Sequence, residues 1–441
     1  MRRALALGVV VLVAATARGL GADEAPLRGT GLALGFTLIA AALVGSLFER
    51  WRLPKISGYL IFGLACGPYL GDIISRPMAR QLQVVNGLAI ALIAFVAGLE
   101  LSFARLRPRL RGMIQMGGAT LGLVYSGLFA VFWLAWPWLG VAPGAGGVAR
   151  VALAALLATV VASFSPTVTI AVIAESRARG PLSELVLAIV VLADLVLILV
   201  FTLSMQSVRW SLGQAAPGDV SLLARLSWEI MGSLAFGAIL GAAFALYLRY
   251  VGRELTVVLL GLCVLLSAVG ALLHFEPLLA ALAAGLVVEN VAPPRGDALK
   301  EAVERGALPV LVVFFAAAGT SLRLDTLGTV GAVVCLIALL RAALIRQGCR
   351  LGVRASGADP AVGGLVWMGL VSQAGVTLGL AILVATEFPE WGVQLQTLIV
   401  ALNTIHALAG PVLFRMALVR AGEIGRMDEA PEPEGRAPAS A

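Results

Sequence analysis

The chain is built from long apolar segments that recur between residues 30 and 417 and are separated by short polar connections. Most have about 18–25 residues, which as a helix rising 1.5 Å per residue cross the ~30 Å hydrocarbon layer of a membrane. Only 13% of the residues are charged, against about a quarter in soluble domains. We therefore predict an all-α polytopic membrane protein whose solvent is the lipid bilayer. Its thirteen predicted transmembrane segments lie near 30–48, 56–75, 82–101, 112–136, 148–174, 181–206, 226–248, 255–272, 277–292, 304–322, 328–348, 361–387 and 393–417.

The basic residues are distributed unequally between the two sides of this membrane. One set of alternate connections, together with the C-terminal tail, contains 21 Lys and Arg residues, whereas the other set contains six. Since basic residues concentrate in cytoplasmic loops, we predict a periplasmic mature N-terminus and a cytoplasmic C-terminus in a bacterial inner membrane. The formal net charge of +7 follows from this topology, and we expect no nucleic-acid partner.

The two ends of the chain have features of their own. Residues 1–22 begin with the pair Arg2-Arg3, which is followed by a short apolar run and a small-x-small site; together these are typical of a signal peptide. The alternative is a short extra helix that stays attached. Residues 418–441 follow the last segment and become rich in Pro, Glu and Ala, so we predict a disordered cytoplasmic tail. This tail is too short for a regulatory nucleotide-binding domain.

Four stretches of the first half reappear, in the same order, in the second half. The pairs are GYLIFGLACGP (58–68) with AALAAGLVVEN (280–290), FVAGLELSFARL (95–106) with FAAAGTSLRLDTL (315–327), SPTVTIAVI (165–173) with AGVTLGLAI (374–382), and VLAD (191–194) with VALN (400–403). Each partner lies seven segments further on, so the second copy crosses the membrane in the opposite direction. Chance explains any single pair, but four in register favour inverted-topology repeats, which are typical of secondary transporters.

Asp194 is an acidic residue in the middle of an apolar segment, thirteen residues from the predicted cytoplasmic end of its helix. A charge at this depth costs roughly 3 kcal/mol or more. Burial disfavours the charged form of a carboxyl group, so the group can exchange a proton near neutral pH. When deprotonated, it is an oxygen ligand for a small monovalent cation. Asp194 is therefore the predicted ion- and proton-binding residue; the alternative is a structural Asp bonded to the backbone of a broken helix.

Two segments are interrupted at positions that the repeat pairs with each other. The first interruption, at 162–167, contains a proline, and the second, at 372–377, contains a glycine. Opposite ends of half-helices that meet in mid-membrane bind ions with few charged side chains, although Ser and Thr also pack helices in lipid without any ion. Asn403, the repeat partner of Asp194, is a further polar candidate. The additional predicted ion- or proton-binding residues are Ser163, Ser165, Thr167, Gln373, Thr377 and Asn403.

Arg341 is a second ionisable residue deep in an apolar segment. Three interpretations stay open: it pairs with Asp194, it compensates the charge of broken helix ends, or it extends to the inner membrane face. Glu175 ends its segment at that basic face and is interpreted as a solvated or ion-paired cap. His406 is an isolated histidine without a metal-ligand motif. The sequence has no nucleophile–base or metal pair, so we expect neither an enzyme nor a cofactor.

These segments resemble a known family. The marker segments of the cation:proton antiporter-2 family are matched in order by LPKISGYLIFGLACGP (53–68), IAFVAGLELSFARLRP (93–108), ASFSPTVTIAVIAE (162–175), VFFAAAGTSLRLDTL (313–327) and GLVSQAGVTLGLA (369–381). The family includes bacterial sodium/proton antiporters and potassium-efflux antiporters. The resemblance therefore implies a secondary transporter that exchanges Na⁺ or K⁺ for H⁺.

The resemblance also implies a homodimer of thirteen-helix subunits, in which a core domain moves like an elevator against a scaffold domain. The implied division is into scaffold and dimerisation helices at 30–101 and 226–322, with 226–248 as a linker helix, and ion-translocating core helices at 112–206 and 328–417. The family's essential aspartate matches Asp194, its unwound helices match 163–167 and 373–377, and its basic residue of the eleventh segment falls near Arg341.

The sequence departs from the family at Ala193, where members often have Asp, Asn or Gln before the essential aspartate. A single carboxylate favours electroneutral exchange of one cation for one proton. Two alternatives stay open. One is a gated potassium efflux pathway, which the short tail disfavours. The other is a same-fold sodium-coupled carrier of organic solutes, which needs a larger cavity and no proton-carrying aspartate.

Overall fold

A computed structural model of the chain describes residues 26–51, 53–82, 85–100, 110–139, 146–213, 221–273, 275–291, 296–322, 327–357 and 359–426. Within these ranges the regular elements are all α-helices, and no strand is formed. The predicted all-α fold is thus confirmed for the described residues. The predicted signal peptide (1–22) and the last part of the predicted tail (427–441) lie outside them.

Sixteen helices cover the described part of the chain. The first eight are α1 (Pro26–Arg50), α2 (Lys55–Cys66), α3 (Arg76–Leu82), α4 (Asn86–Glu100), α5 (Leu110–Leu139), α6 (Gly147–Ala162), α7 (Pro166–Glu175) and α8 (Pro181–Ser211). The second eight are α9 (Ser221–Tyr250), α10 (Leu255–Leu273), α11 (Pro277–Val291), α12 (Gly296–Thr320), α13 (Leu327–Ser356), α14 (Pro360–Gly369), α15 (Gly375–Glu387) and α16 (Pro389–Ala421).

Several of these helices have the length and composition of membrane spans. Six stretches of the described chain qualify, and six further apolar helices of 10–17 residues are shorter. The surface of the helices carries large exposed apolar side chains, such as Leu272 and Leu339, as expected where lipid is the solvent. The chain is therefore a multi-pass membrane protein. The count of thirteen spans stays a prediction. The six long stretches are Arg111–Trp136, Gly147–Glu175, Pro181–Ser211, Ile230–Tyr250, Gly331–Ser356 and Pro389–Ala421.

The helices pack in two groups. The first group consists of α1–α4 and α9–α12, and the second consists of α5–α8 and α13–α16. The principal contacts between the groups run from α7 to α2 and α4, and from α16 to α2. The half-helix α7 and the long helix α16 therefore form the boundary of the second group. The functional division into scaffold and core stays a prediction.

Two close helix crossings follow the predicted repeat. Helix α2 meets α12 where Gly63 faces Gly319, and a Cβ atom built on Gly63 would lie 2.0 Å from a backbone carbonyl oxygen of α12. Helix α4 meets α11 where Gly98 faces Gly285, and a Cβ atom on Gly285 would lie 2.1 Å from a carbonyl oxygen of α4. Small residues allow such approach in membranes. Helices α2 and α11 are repeat partners, and so are α4 and α12. The α2–α12 crossing in one copy therefore corresponds to the α4–α11 crossing in the other, which supports the inverted repeat.

The tail at 418–441 is predicted to be disordered, but its first residues are ordered in the structure. Helix α16 continues to Ala421, and Gly422 ends it in the left-handed conformation at φ +67°, for which glycine is suited. Glu423 is buried, and its carboxylate accepts the backbone N–H groups of Leu182 at 2.6 Å and Ser183 at 2.9 Å. The chain therefore stays packed against the start of α8 beyond the last span.

Candidate ion-binding site

The two interruptions predicted from the sequence are present in the structure. One separates α6 from α7 at residues 163–165, and the other separates α14 from α15 at residues 370–374. Pro166 begins α7 and has no N–H group to continue the helical hydrogen bonds of α6. Ser165 then caps the new helix, because its side-chain oxygen accepts the backbone N–H of Val168 at 3.3 Å. Each interruption thus leaves one helix ending and another beginning inside the protein.

The interrupted helices meet, and predicted polar residues lie at the meeting point. The hydroxyl groups of Ser163 and Thr377 are 2.7 Å apart, which joins the first interruption to the start of α15. The hydroxyl groups of Ser165 and Thr167 are 3.1 Å apart. All four side chains are buried. We call this region, residues 161–167 and 370–377, the helix crossing.

Arg341 is fully buried at the helix crossing. Its Nε donates to the carbonyl oxygen of Val161 at 2.8 Å, Nη1 to that of Val371 at 2.8 Å, and Nη2 to that of Ser163 at 2.7 Å. These carbonyl groups belong to the ends of α6 and α14, which carry partial negative charge, and the planar guanidinium fork serves several acceptors at once. These contacts are the ones that compensation of broken helix ends requires, and that role of Arg341 stays a prediction. The side chain does not extend to the membrane face, and none of these hydrogen bonds goes to Asp194.

Gln373 and His406 complete this network. Gln373 Nε2 donates to the carbonyl oxygens of Val161 at 2.8 Å and Ser163 at 3.3 Å. Its Oε1 is therefore the acceptor for Nδ1–H of His406, 2.8 Å away. Both side chains are buried. His406 was not predicted at the site, although its position one turn after Asn403 on an apolar helix was an available signal.

Asp194 lies in the middle of α8, which packs against α6, α7 and α14. Its side chain is only 5% exposed, and within the described residues its Oδ1 atom has no hydrogen-bond partner. A buried carboxylate oxygen without a partner is costly, so this group is suited to hold a proton or a bound cation.

A cavity of about 590 Å³ leads from one end of the molecule to the helix crossing. At its outer part it is lined by Arg76, which is exposed on the predicted periplasmic side. Its lining also includes Val168 of α7 and Ala374 of the second interruption. Asn403 lines it too, and the Oδ1 atom of this buried residue has no hydrogen-bond partner in the described residues. Asp194 is not among the lining residues.

Comparisons with known proteins give a family model and a fold. The model described as "Sodium/hydrogen exchanger, transmembrane" matches residues 38–418. An uncharacterized protein in the phaC 3′ region of Methylorubrum extorquens is 38% identical over 76 residues, which cover 17% of this chain and 26% of that relative. Two structures of the sodium proton antiporter MjNhaP1 from Methanocaldococcus jannaschii share the fold at 17% identity. One, at pH 8, has a TM-score of 0.60 over 92% of this chain and 97% of that chain. The other, an electron-microscopy structure, has a TM-score of 0.68 over 88% and 96%.

Proposed function

We propose, on the premise that this chain belongs to the sodium/hydrogen exchanger family, that it exchanges a monovalent cation, Na⁺ or K⁺, for a proton across the membrane. The family resemblance predicted from the marker segments is confirmed by the match over residues 38–418. Such a transporter needs a site inside the membrane that holds either ion but not both. In many transporters such a site is formed where helices are interrupted, so we propose that the site lies at the helix crossing.

The observation that carries the proposal is the buried carboxyl group of Asp194 with an unpartnered Oδ1 atom. A deprotonated carboxylate in this position requires a positive partner, and Arg341 is already engaged by three carbonyl groups. The group is therefore stable when it is protonated or when it binds a cation. The hydroxyl groups of Ser163, Ser165, Thr167 and Thr377 and the amides of Gln373 and Asn403 supply further oxygen ligands in the proposed site.

A single carboxylate also supports the proposed stoichiometry of one cation for one proton. Ala193, before Asp194, adds no charge. Replacing a bound proton by a bound monovalent cation leaves the net charge of the site unchanged, so the exchange is electroneutral. We propose that a bacterial inner membrane is its location and that the subunit works as a homodimer.

The cavity supports an alternating-access mechanism. It reaches the helix crossing from the end that the charge distribution assigns to the periplasm. Under that orientation we propose that the structure represents an outward-open state. In the proposed mechanism the second helix group, which contains both interrupted helices, moves against the first so that the crossing faces each side in turn.

The proposal is tested in inverted membrane vesicles with an imposed pH gradient and a pH-sensitive dye. Addition of Na⁺, K⁺ or Li⁺ to the wild type is expected to dissipate the gradient for the transported ions. Asp194→Asn is expected to abolish this response. Asp359→Asn is the matched control, because Asp359 is an exposed helix cap and Asn also caps helices. Full exchange by Asp194→Asn would refute the proposed role of Asp194.

The same assay separates the alternatives. A gated potassium pathway moves K⁺ without obligatory proton movement, so it gives no dye response when the membrane potential is clamped. A sodium-coupled carrier of organic solutes gives a response only when its solute is present. A response that depends strongly on membrane potential would instead overturn electroneutral exchange.

A further inference from the structure

Glu175 joins the two helix groups at the end of the molecule opposite the cavity. It is the last residue of α7, and its two carboxylate oxygens accept the backbone N–H groups of Lys55 and of Ile56, the latter at 3.2 Å. Nη1 of Arg415, on α16, lies 3.8 Å from Oε1. The Glu175 side chain is only 13% exposed. It is therefore ion-paired rather than solvated, and its main partners lie on a helix of the other group.

The start of α2 depends on this carboxylate. Pro54 occupies the position before the helix and makes no side-chain capping bond, and the first turn of α2 contains no acidic residue. The first N–H groups of a helix have no partner within the helix and carry partial positive charge. Glu175 supplies both the acceptor atoms and the negative charge. We call these bonds from Glu175 to Lys55 and Ile56 the inner contact.

The inner contact and the cavity lie at opposite ends of the same helices. Leu60, in the middle of α2, lines the cavity together with Pro68 just after the helix, and Val168 in the first turn of α7 lines it too. Helices α2 and α7 are thus separated by the cavity at the predicted periplasmic end and joined at the predicted cytoplasmic end. This is the geometry of a pathway that is open on one side and closed on the other.

The half-helix α7 links the inner contact to the helix crossing. It begins at Pro166, beside the first interruption, and its ten residues end at Glu175. A helix of this length spans ~15 Å and moves as one element. A shift of α7 at the crossing is therefore transmitted to the inner contact.

We propose that Glu175 holds the cytoplasmic side of the ion pathway closed, and that its bonds to α2 break each time the pathway opens inward. This inference rests on the proposed alternating-access function and adds to it a residue that sets the balance between the two states. Glu175 does not touch the ion in this account. It positions α7 relative to α2.

The test measures access to a cysteine from each side of the membrane, in a chain whose four native cysteines are replaced by alanine. The inner reporter is Ser57→Cys, because Ser57 is buried on α2 one turn before Leu60 and its hydroxyl group has no hydrogen-bond partner in the described residues. The outer reporter is Thr397→Cys, because Thr397 lines the cavity. A membrane-impermeant maleimide is applied to inside-out and right-side-out vesicles, and the labelling rates are compared between Glu175→Ala and the parent.

Loss of a charge-assisted contact of this kind shifts the equilibrium between the outward-open and inward-open states by about tenfold. We expect Ser57→Cys to be labelled about tenfold faster from the inside in Glu175→Ala, and Thr397→Cys to be labelled more slowly from the outside. Glu175→Gln, which keeps one acceptor, gives a smaller shift in the same direction and serves as the test if the Ala variant does not reach the membrane. The matched control is Glu49→Gln, because Glu49 bonds the ammonium group of Lys55 at 3.0 Å from within the same helix group. This control leaves both rates unchanged.

Two results would overturn the inference: parental labelling rates in both Glu175 variants, or a shift as large in Glu49→Gln. The outcome is independent of the exchange assay, since alkylation needs neither a cation nor a pH gradient. If Asp194→Asn retained exchange while the Glu175 variants changed the labelling, the proposed ion site would fail and the inner contact would stand.

Discussion

Arg341→Gln is expected to weaken the protein at the point where the two interrupted helices meet. The wild-type guanidinium group binds three carbonyl oxygens at 2.7–2.8 Å. Two of these, on Val161 and Ser163, also accept from Gln373. The substitution therefore leaves the carbonyl group of Val371 without its donor.

The expected loss of stability follows from these contacts. One buried carbonyl group without a partner costs about 1–3 kcal/mol. Loss of the positive charge between two helix C-termini adds about 1 kcal/mol for each end. The free energy of unfolding is thus expected to fall by about 3–5 kcal/mol, within the range for removing one partner of a buried charged contact.

The measurement is thermal unfolding of the detergent-solubilised protein, together with exchange in vesicles. Arg341→Gln is expected to lower the apparent Tm by on the order of 5 °C and to abolish exchange. The Tm and the exchange rate of Arg341→Lys are expected to lie between those of Arg341→Gln and the wild type. The control is Arg346→Gln, because Arg346 is exposed on the same helix and contacts the Trp367 ring at 5.6 Å, a contact worth about 0.5–1 kcal/mol. An Arg341→Gln protein that melts with the wild type and still exchanges ions would refute this account of the helix crossing.

Three other substitutions test separate parts of the structure. His406→Phe removes the donor to Gln373 and is expected to lower stability by about 1–2 kcal/mol and to raise the cation KM several-fold; an unchanged KM would contradict its role. Gly63→Val places atoms against a carbonyl group of α12 and is expected to prevent stable expression, whereas Gly122→Ala, where a Cβ atom meets nothing within 4 Å, is neutral. Glu423→Ala uncaps α8 and is expected to cost about 1–2 kcal/mol in thermal unfolding; a wild-type Tm would show that the cap is dispensable.

The sequence predicted those features whose signal is local or repeated. Asp194 could be selected as a candidate because a carboxyl group in the middle of an apolar run is costly wherever the other helices lie, and the structure buries it. The two interruptions were identifiable because a proline and a glycine mark them and the repeat pairs them. Their polar residues were predicted for the same reason, and the structure brings Ser163 and Thr377 into contact.

The features that were missed depend on contacts between distant parts of the chain. Arg341 was recognised as deep, but its partners lie up to 180 residues earlier, so three interpretations stayed open. His406 bonds Gln373 on another helix, 33 residues earlier, and no local motif indicates this contact. The order at the end of α16 depends on Glu423 capping α8, 240–241 residues away. None of these pairings leaves a pattern in a single stretch of sequence.

The central claim is that Asp194 holds either a proton or a cation, and proton release on cation binding tests it most directly. The purified protein is titrated with Na⁺ and with K⁺ in a weakly buffered solution containing a pH indicator, and the protons released for each cation bound are counted. The account predicts about one proton per cation for the wild type and none for Asp194→Asn. Cation binding without proton release in the wild type, or equal release from Asp194→Asn, would contradict it.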